Sequence, residues 1–154
     1  MTGWRLGYSL ASAEWTNAML NVQGHSTSNP SSIGQSAAIE ALTGPQESVT
    51  EMLREYTRRR EYVLDALTGI PGITCSTPEG AFYAFPNITN CLRGAMKTSA
   101  EFAQRLLEEE QTVVTDGGCF GAEGYLRISY ATSMEQLQEG MTRLRRFVQR
   151  LGNE

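Results

Sequence analysis

Apolar and polar positions change rhythm several times along this chain. Over residues 4–11, Trp4, Leu6, Tyr8 and Leu10 alternate with Arg5, Gly7, Ser9 and Ala11, a period of two that predicts a strand. Ser12 then stands where a helix cap belongs, and Trp15, Met19 and Val22 follow at spacings of four and three. Residues 24–32 are rich in Gly, Ser, Thr, Asn and Pro and read as a loop. A second short helix is expected from about Ser32 to Leu42, with Ile33, Ala37, Ala38, Ala41 and Leu42 turned inward. After Gly44-Pro45 a long helix runs to about Leu67, with Val49, Met52, Leu53, Tyr56, Arg60, Val63 and Leu67 on one stripe. The stem of Arg60 can cover apolar surface there, the rest of Arg58-Arg59-Arg60 reads as a solvated face, and Glu55 is spaced to pair with Arg59.

From Gly69 the rhythm becomes mixed. Residues 73–76, 81–85, 113–115 and 125–130 are short strand candidates. Thr98-Ser99-Ala100-Glu101 has the form of a capping box, and it opens a helix that buries Phe102, Leu106 and Leu107. Ser133 with Gln136 repeats the pattern. The last helix carries Met134, Leu137, Met141, Leu144, Phe147 or Val148, and Leu151 at spacings of three and four. Helices against a small sheet make a two-layer domain. The fold class is therefore α/β, with an α+β C-terminal domain, and the boundary falls near the long helix, within residues 44–69.

Bulk properties narrow the function. The chain has 154 residues and a formal net charge of −4, and its basic residues cluster along helices, which argues against a nucleic-acid surface. No apolar run is long enough to span a membrane, and Met1 is not followed by a leader-like apolar stretch, so a cytoplasmic protein is expected. Cys75, Cys91 and Cys119 form no CxxC pair and read as reduced thiols. His25, the only histidine, has no ligand-spaced partners, so no metal site is expected.

Few residues invite chemistry. In the strand 125–130, Leu126, Ile128 and Tyr130 share one face and Tyr125, Arg127 and Ser129 the other. A strand-mounted Arg127 offers a planar fork that a carboxylate can meet with two charge-assisted bonds; pairing with a surface acid is the plainer alternative. Arg5, between Gly3 and Gly7, can hold a phosphate or pair structurally. Ser26, Thr27, Ser28 and Asn29 carry anion-binding groups, in a composition equally typical of an ordinary loop. His25 has no orienting acid nearby, Lys97 reads as a solvated loop lysine, and Cys119 lacks a base. The run Gly117-Gly118-Cys119-Phe120-Gly121 matches neither a P-loop nor a dinucleotide fingerprint.

Taken in order, several segments resemble the class I/II aminotransferases of the fold-type-I pyridoxal-phosphate superfamily, especially bacterial aspartate-aminotransferase-like enzymes. The segments are Met1-Thr2-Gly3-Trp4-Arg5-Leu6-Gly7-Tyr8, His25-Ser26-Thr27-Ser28-Asn29-Pro30, Pro78-Glu79-Gly80-Ala81-Phe82-Tyr83-Ala84-Phe85-Pro86, Phe120-Gly121 and Tyr125-Leu126-Arg127-Ile128-Ser129-Tyr130-Ala131. The resemblance covers essentially the whole chain. It implies that residues 1–45 end the large cofactor-binding domain, that 46–68 form the connecting helix, and that 69–154 form the small domain. It implies that Arg5 holds the phosphate of pyridoxal 5′-phosphate and that Arg127 grips the α-carboxylate of the amino acid. Ser28 and Asn29 would approach the cofactor at a dimer interface, and Gly80-Ala81-Phe82-Tyr83 would help close the site.

By the same resemblance the Schiff-base lysine lies a few residues before the Met1–Arg5 motif. The aspartate facing the pyridine nitrogen, the stacking aromatic and most of the large sheet also lie upstream. The expectation is a fragment of a homodimeric enzyme that exchanges amino groups between α-amino acids and 2-oxo acids, inactive by itself and with the cofactor unbound or weakly held. The alternative is a non-enzymatic α/β module that associates with itself or a partner. In a fragment the apolar strand 4–10 and the helices that would normally pack on the rest of the enzyme are expected to lie exposed and to drive self-association. One departure stands out: Asp116-Gly117 replaces the Pro-Gly usual before the Phe-Gly turn, which puts the tightness of that turn and the charge near the site in question.

Overall fold

Residues 2–94 and 96–152 are described in a computed structural model, so only Met1 of the opening motif lies outside them. The chain divides into two compact units, Met1–Thr50 and Glu51–Glu154.

The first unit is helical. Ser12 caps α1 (Ala13–Ser26), its side chain accepting from the Trp15 N–H, as the sequence predicts. The helix runs three residues into the predicted loop, so His25 sits in its last turn. After a loop at 27–31, α2 covers Ser32–Thr43. The strand expected over residues 4–11 is not formed. Thr2–Trp4 make a 3₁₀ turn, Arg5 is left-handed, and residues 6–12 have no regular structure. Alternation specifies a strand only where another strand supplies hydrogen bonds, and among the described residues this unit has none to offer. Of the residues predicted inward in α2, Ile33, Ala41 and Leu42 are exposed, and Ala37 and Ala38 are half-buried. Within α1 nothing is buried, and within α2 only Gly34 is. The exposed apolar surface anticipated from the sequence is present: Trp15, Leu20, Val22, Ile33 and Ile39 all face outward.

Helix α3 (Glu47–Thr68) begins with exposed Val49, Met52 and Leu53 and ends with buried Val63 and Leu67. Glu55 pairs with both Arg58 and Arg59, at 3.0 and 2.7 Å. Arg60 leaves the solvated face: its Nη1 donates to the Pro78 carbonyl at 3.3 Å, and its buried Nε has no partner in the structure.

The second unit is built on a small antiparallel sheet. Its strands are β1 (Tyr83–Ala84), β2 (Thr115–Asp116) and β3 (Leu126–Ser129), in the order β1-β3-β2. The candidates 81–85 and 125–130 form shorter strands, 113–115 overlaps β2 only at Thr115, and residues 73–76 contribute only a bridge from Thr74 to Asn87. Helix α4 (Ser99–Glu110) carries the full capping box: Thr98 Oγ1 accepts from the Glu101 N–H and Glu101 Oε2 accepts from the Thr98 N–H. Helix α5 (Met134–Leu151) has half of the second box, with Ser133 accepting from the Gln136 N–H. Both Phe147 and Val148 are buried, whereas Met134 is half-buried and Leu107 of α4 is exposed. One continuous core joins Val63 and Leu67 of α3, Phe102 and Leu106 of α4, Leu126 and Ile128 of β3, and Leu137, Leu144 and Phe147 of α5. Phe102 and Phe147 meet edge-to-face at 5.0 Å.

The C-terminal ends of α4 and α5 are tied by charge. The Glu110 side chain is almost fully buried, bonded by Arg146 and by Arg150 at 2.8 Å. Arg143 adds a 3.0 Å bond to the Glu110 carbonyl. Hydrogen bonding from Arg146 outweighs burial and holds the Glu110 carboxyl below its ordinary range. A depressed carboxyl stabilises the fold above its unfolded pKa and loses that contribution as pH falls through the folded value. Glu110→Gln is expected to lower stability by about 2 kcal/mol at pH 7. Urea titrations should show that gap closing as pH drops below about 4.

Candidate functional site

Arg127 occupies the middle strand of the sheet. Leu126, Ile128 and Tyr130 go into the core, which turns Arg127 to the other face, as the alternation predicts. Register fixes its neighbours. Thr115 of β2 lies directly opposite Arg127, and Tyr83 of β1 lies opposite Ser129. Directly opposed residues share a sheet face, so Tyr83, Thr115, Arg127 and Ser129 do so. Arg127 Nη2 donates to Thr115 Oγ1 at 3.4 Å. Its Cζ lies 4.7 Å from the centre of the Tyr83 ring and 4.6 Å from that of Phe120. Among the described residues Arg127 makes no ion pair, so the surface-acid alternative is not what the structure contains.

The Phe120 ring is delivered by a tight turn. Asp116 caps a 3₁₀ turn over Gly117–Phe120: Oδ1 accepts from the Cys119 N–H at 3.2 Å, and the Cys119 thiol donates to Oδ2 at 3.1 Å. Asp116 thus closes the turn whose tightness the sequence left in question. The thiol–carboxylate hydrogen bond, together with the charge of Asp116, pushes the Cys119 thiol up. Gly117 is required by space, since a Cβ there would lie 2.3 Å from the Ala122 carbonyl oxygen and 2.7 Å from that of Tyr125. Gly121 ends the turn with φ +72°.

The other sequence-predicted residues lie in the first unit. Arg5 is exposed and makes no hydrogen bond or ion pair among the described residues, with φ +54°. Ser28 has φ +63°, and Asn29 lines an apolar hollow of about 740 Å³ with Leu6, Tyr8, Leu20 and Ile39. A positive φ is uncommon outside glycine and persists only where surroundings impose it. Four such residues occur among those described: Arg5, Ser28, Ala81 and Gln111. Gln111 caps α4. The other three fall in segments singled out by sequence for anion binding or site closure. No cluster of metal-ligating residues occurs among those described, and no helix is long and apolar enough to cross a membrane. The three cysteines are free.

Sequence reasoning quoted Tyr83 and Phe120 within motifs but not as partners of Arg127, and it missed Thr115. The parity of Tyr83 with Ser129 was the available signal, and it needs the strand register to be read.

Residues 1–144 match the family model for aminotransferase class I and II. The chain belongs to that family. This aminotransferase chain is 44% identical over 151 residues to the aspartate aminotransferase of Bacillus subtilis, covering 97% of this chain and 38% of that protein. It is 46% identical over 153 residues to the aspartate/prephenate aminotransferase of Cereibacter sphaeroides, covering 96% and 38%. Among solved structures it superposes on the Rhizobium meliloti aspartate aminotransferase with a TM-score of 0.90 at 40% identity, covering 97% of this chain and 39% of the other. The aromatic aminotransferase of Pyrococcus horikoshii gives 0.87 at 38% identity, covering 97% and 40%. The chain therefore spans less than half the length of these relatives.

Gly117→Ala is expected to destabilise the second unit by about 2 kcal/mol through overpacking. It should also speed amide exchange at Cys119 and Phe120, measured by NMR hydrogen exchange.

Proposed function

We propose that this chain is the C-terminal portion of an aminotransferase that moves an amino group between an α-amino acid and a 2-oxo acid. Within it, residues 1–45 belong to the large domain, 46–68 to the connecting helix and 69–154 to the small domain. The observation that carries the reading is the state of Arg127, a half-buried cation near two aromatic rings and bonded to one hydroxyl, with no acid partner among the described residues. Such a group is ready for an incoming carboxylate.

Arg127 binds the substrate carboxylate and thereby orients the bonds at the α-carbon. Arg5 takes the phosphate of pyridoxal 5′-phosphate. Its guanidinium, without a hydrogen bond or ion pair among the described residues, fits that charge, and its left-handed backbone is the kind of strain found at ligand sites. Ser28 and Asn29 approach the cofactor at the interface of a homodimer. When bound, the cofactor supplies the electron sink that lets the α-proton leave. The amine that would carry the cofactor has no counterpart here, because Lys97 is the only lysine in the sequence and sits exposed in the loop before α4. The 154-residue chain is therefore incompetent alone.

The exposed apolar residues of α1 and α2 support a second property, self-association of the isolated chain. Sedimentation velocity should give dimers or larger species at tens of micromolar, and a clean monomer would count against this.

The function is tested by assaying the chain with pyridoxal phosphate, aspartate and 2-oxoglutarate. Turnover should not rise above the non-enzymatic background. A chimera that joins the chain behind the missing portion of the Bacillus subtilis enzyme should regain activity. In that chimera Arg127→Met should lower kcat/KM by about a hundredfold, the loss of one or two charge-assisted bonds. Robust turnover by the 154 residues alone, or a chimera indifferent to Arg127→Met, would overturn the reading.

A further inference from the structure

The Arg127 guanidinium is oriented by few contacts. It donates to one hydroxyl, Thr115 Oγ1, at 3.4 Å, and its Cζ lies 4.6 Å from the centre of the Phe120 ring. An aromatic ring attracts a nearby cation. A long side chain restrained before a ligand arrives also loses less freedom on binding it. The placement of Phe120 therefore bears on how readily Arg127 takes an anion.

Phe120 is half exposed, so burial alone does not fix its ring. Among the described residues its one ring partner is Phe85, edge-on at 6.3 Å. The backbone must place it, as the last residue of the turn Gly117–Phe120. Asp116 closes that turn on the residue just before Phe120. Its Oδ1 accepts from the Cys119 N–H at 3.2 Å, and its Oδ2 accepts from the Cys119 thiol at 3.1 Å. The first bond asks only for a capping oxygen. The second needs a side-chain donor at residue 119 and a second acceptor opposite it, and an ionised acceptor strengthens a weak thiol donor. Cys119 is exposed, so packing does not account for its presence. Asp116 pushes the thiol up and Arg127 pulls it down, so the sulfur lies within the field of both charges.

We propose that Asp116 and Cys119 form a positioning pair for the Arg127 site: the thiol–carboxylate bond fixes the backbone ahead of Phe120, which sets the ring near the guanidinium and presets Arg127 for an anionic ligand. The proposal rests on the reading of Arg127 as an anion-binding residue. Both members of the pair act through Phe120.

The test uses the 154-residue chain. The ¹⁵N–¹H signal of the Arg127 Nε, assigned by its loss in Arg127→Lys, is followed by NMR, and Phe120→Leu gives its position without the ring's shielding. Cys119→Ala removes the thiol donor, and Cys119→Ser restores a donor. The side chain is exposed, so both variants should keep the native amide spectrum. In Cys119→Ala the signal should move at least halfway to its Phe120→Leu position, and acetate, titrated at constant ionic strength, should bind about threefold more weakly. Cys119→Ser should return both to the values of the unmodified chain. Asp116→Asn keeps an acceptor for the Cys119 N–H but none for the thiol. It should move the signal as Cys119→Ala does, and the double variant should move it no further. An unmoved signal or an unchanged acetate affinity in Cys119→Ala, or no recovery in Cys119→Ser, would overturn the positioning role and leave Arg127 as an anion site. No saturable, Arg127-dependent shift with acetate in the unmodified chain would overturn both.

Discussion

The period-two alternation of β3 is the constraint on which the C-terminal unit depends. Leu126 and Ile128 are driven into the core by their apolar surface, each burial stabilising by about 2 kcal/mol. Arg127 lies between them in sequence and so cannot follow them. A shift of one residue in register would bury the guanidinium and expose both aliphatic chains, a change too unfavourable to be populated. The same pairing brings Thr115 opposite Arg127 and Tyr83 to the neighbouring pair. Apolar burial thus aims a charged group that itself contributes little to holding the unit together.

What could be read from the sequence was local. The Thr98–Glu101 box, the Ser12 cap and the buried stripe of α5 depend on residues within one or two turns of one another, and all three form. What could not be read depends on partners distant in the chain. Residues 4–11 alternate like a strand, yet without a neighbouring strand the backbone has no ladder to join. The short strands of the sheet were found only in part, because their bounds are set by pairing. Asp116 looked like a loss of rigidity because it replaces a proline; its carboxylate instead supplies the cap that closes the turn.

The candidate site divides along the same line. Arg127 and its facing direction followed from alternation, and the family likeness named the ligand it would take. Its aromatic neighbours needed the strand order. Arg5 and Ser28 were marked by composition and likeness, but their left-handed backbone carries no sequence signal, since neither is glycine. The two units also differ in completeness. The second encloses its own core, while α1 and α2 of the first bury almost nothing. A helix is stabilised mainly by packing its apolar face, so the first unit is the less self-sufficient of the two.

The rings near Arg127 have one more consequence. Water is a strong competitor for any guanidinium, and an ion must be stripped of part of its hydration before it can be gripped closely. Tyr83 and Phe120 displace that hydration while the chain folds, long before a ligand arrives. The receptor half of the dehydration penalty is thus settled once per molecule rather than once per encounter, and each visiting acid has to shed only its own solvent shell.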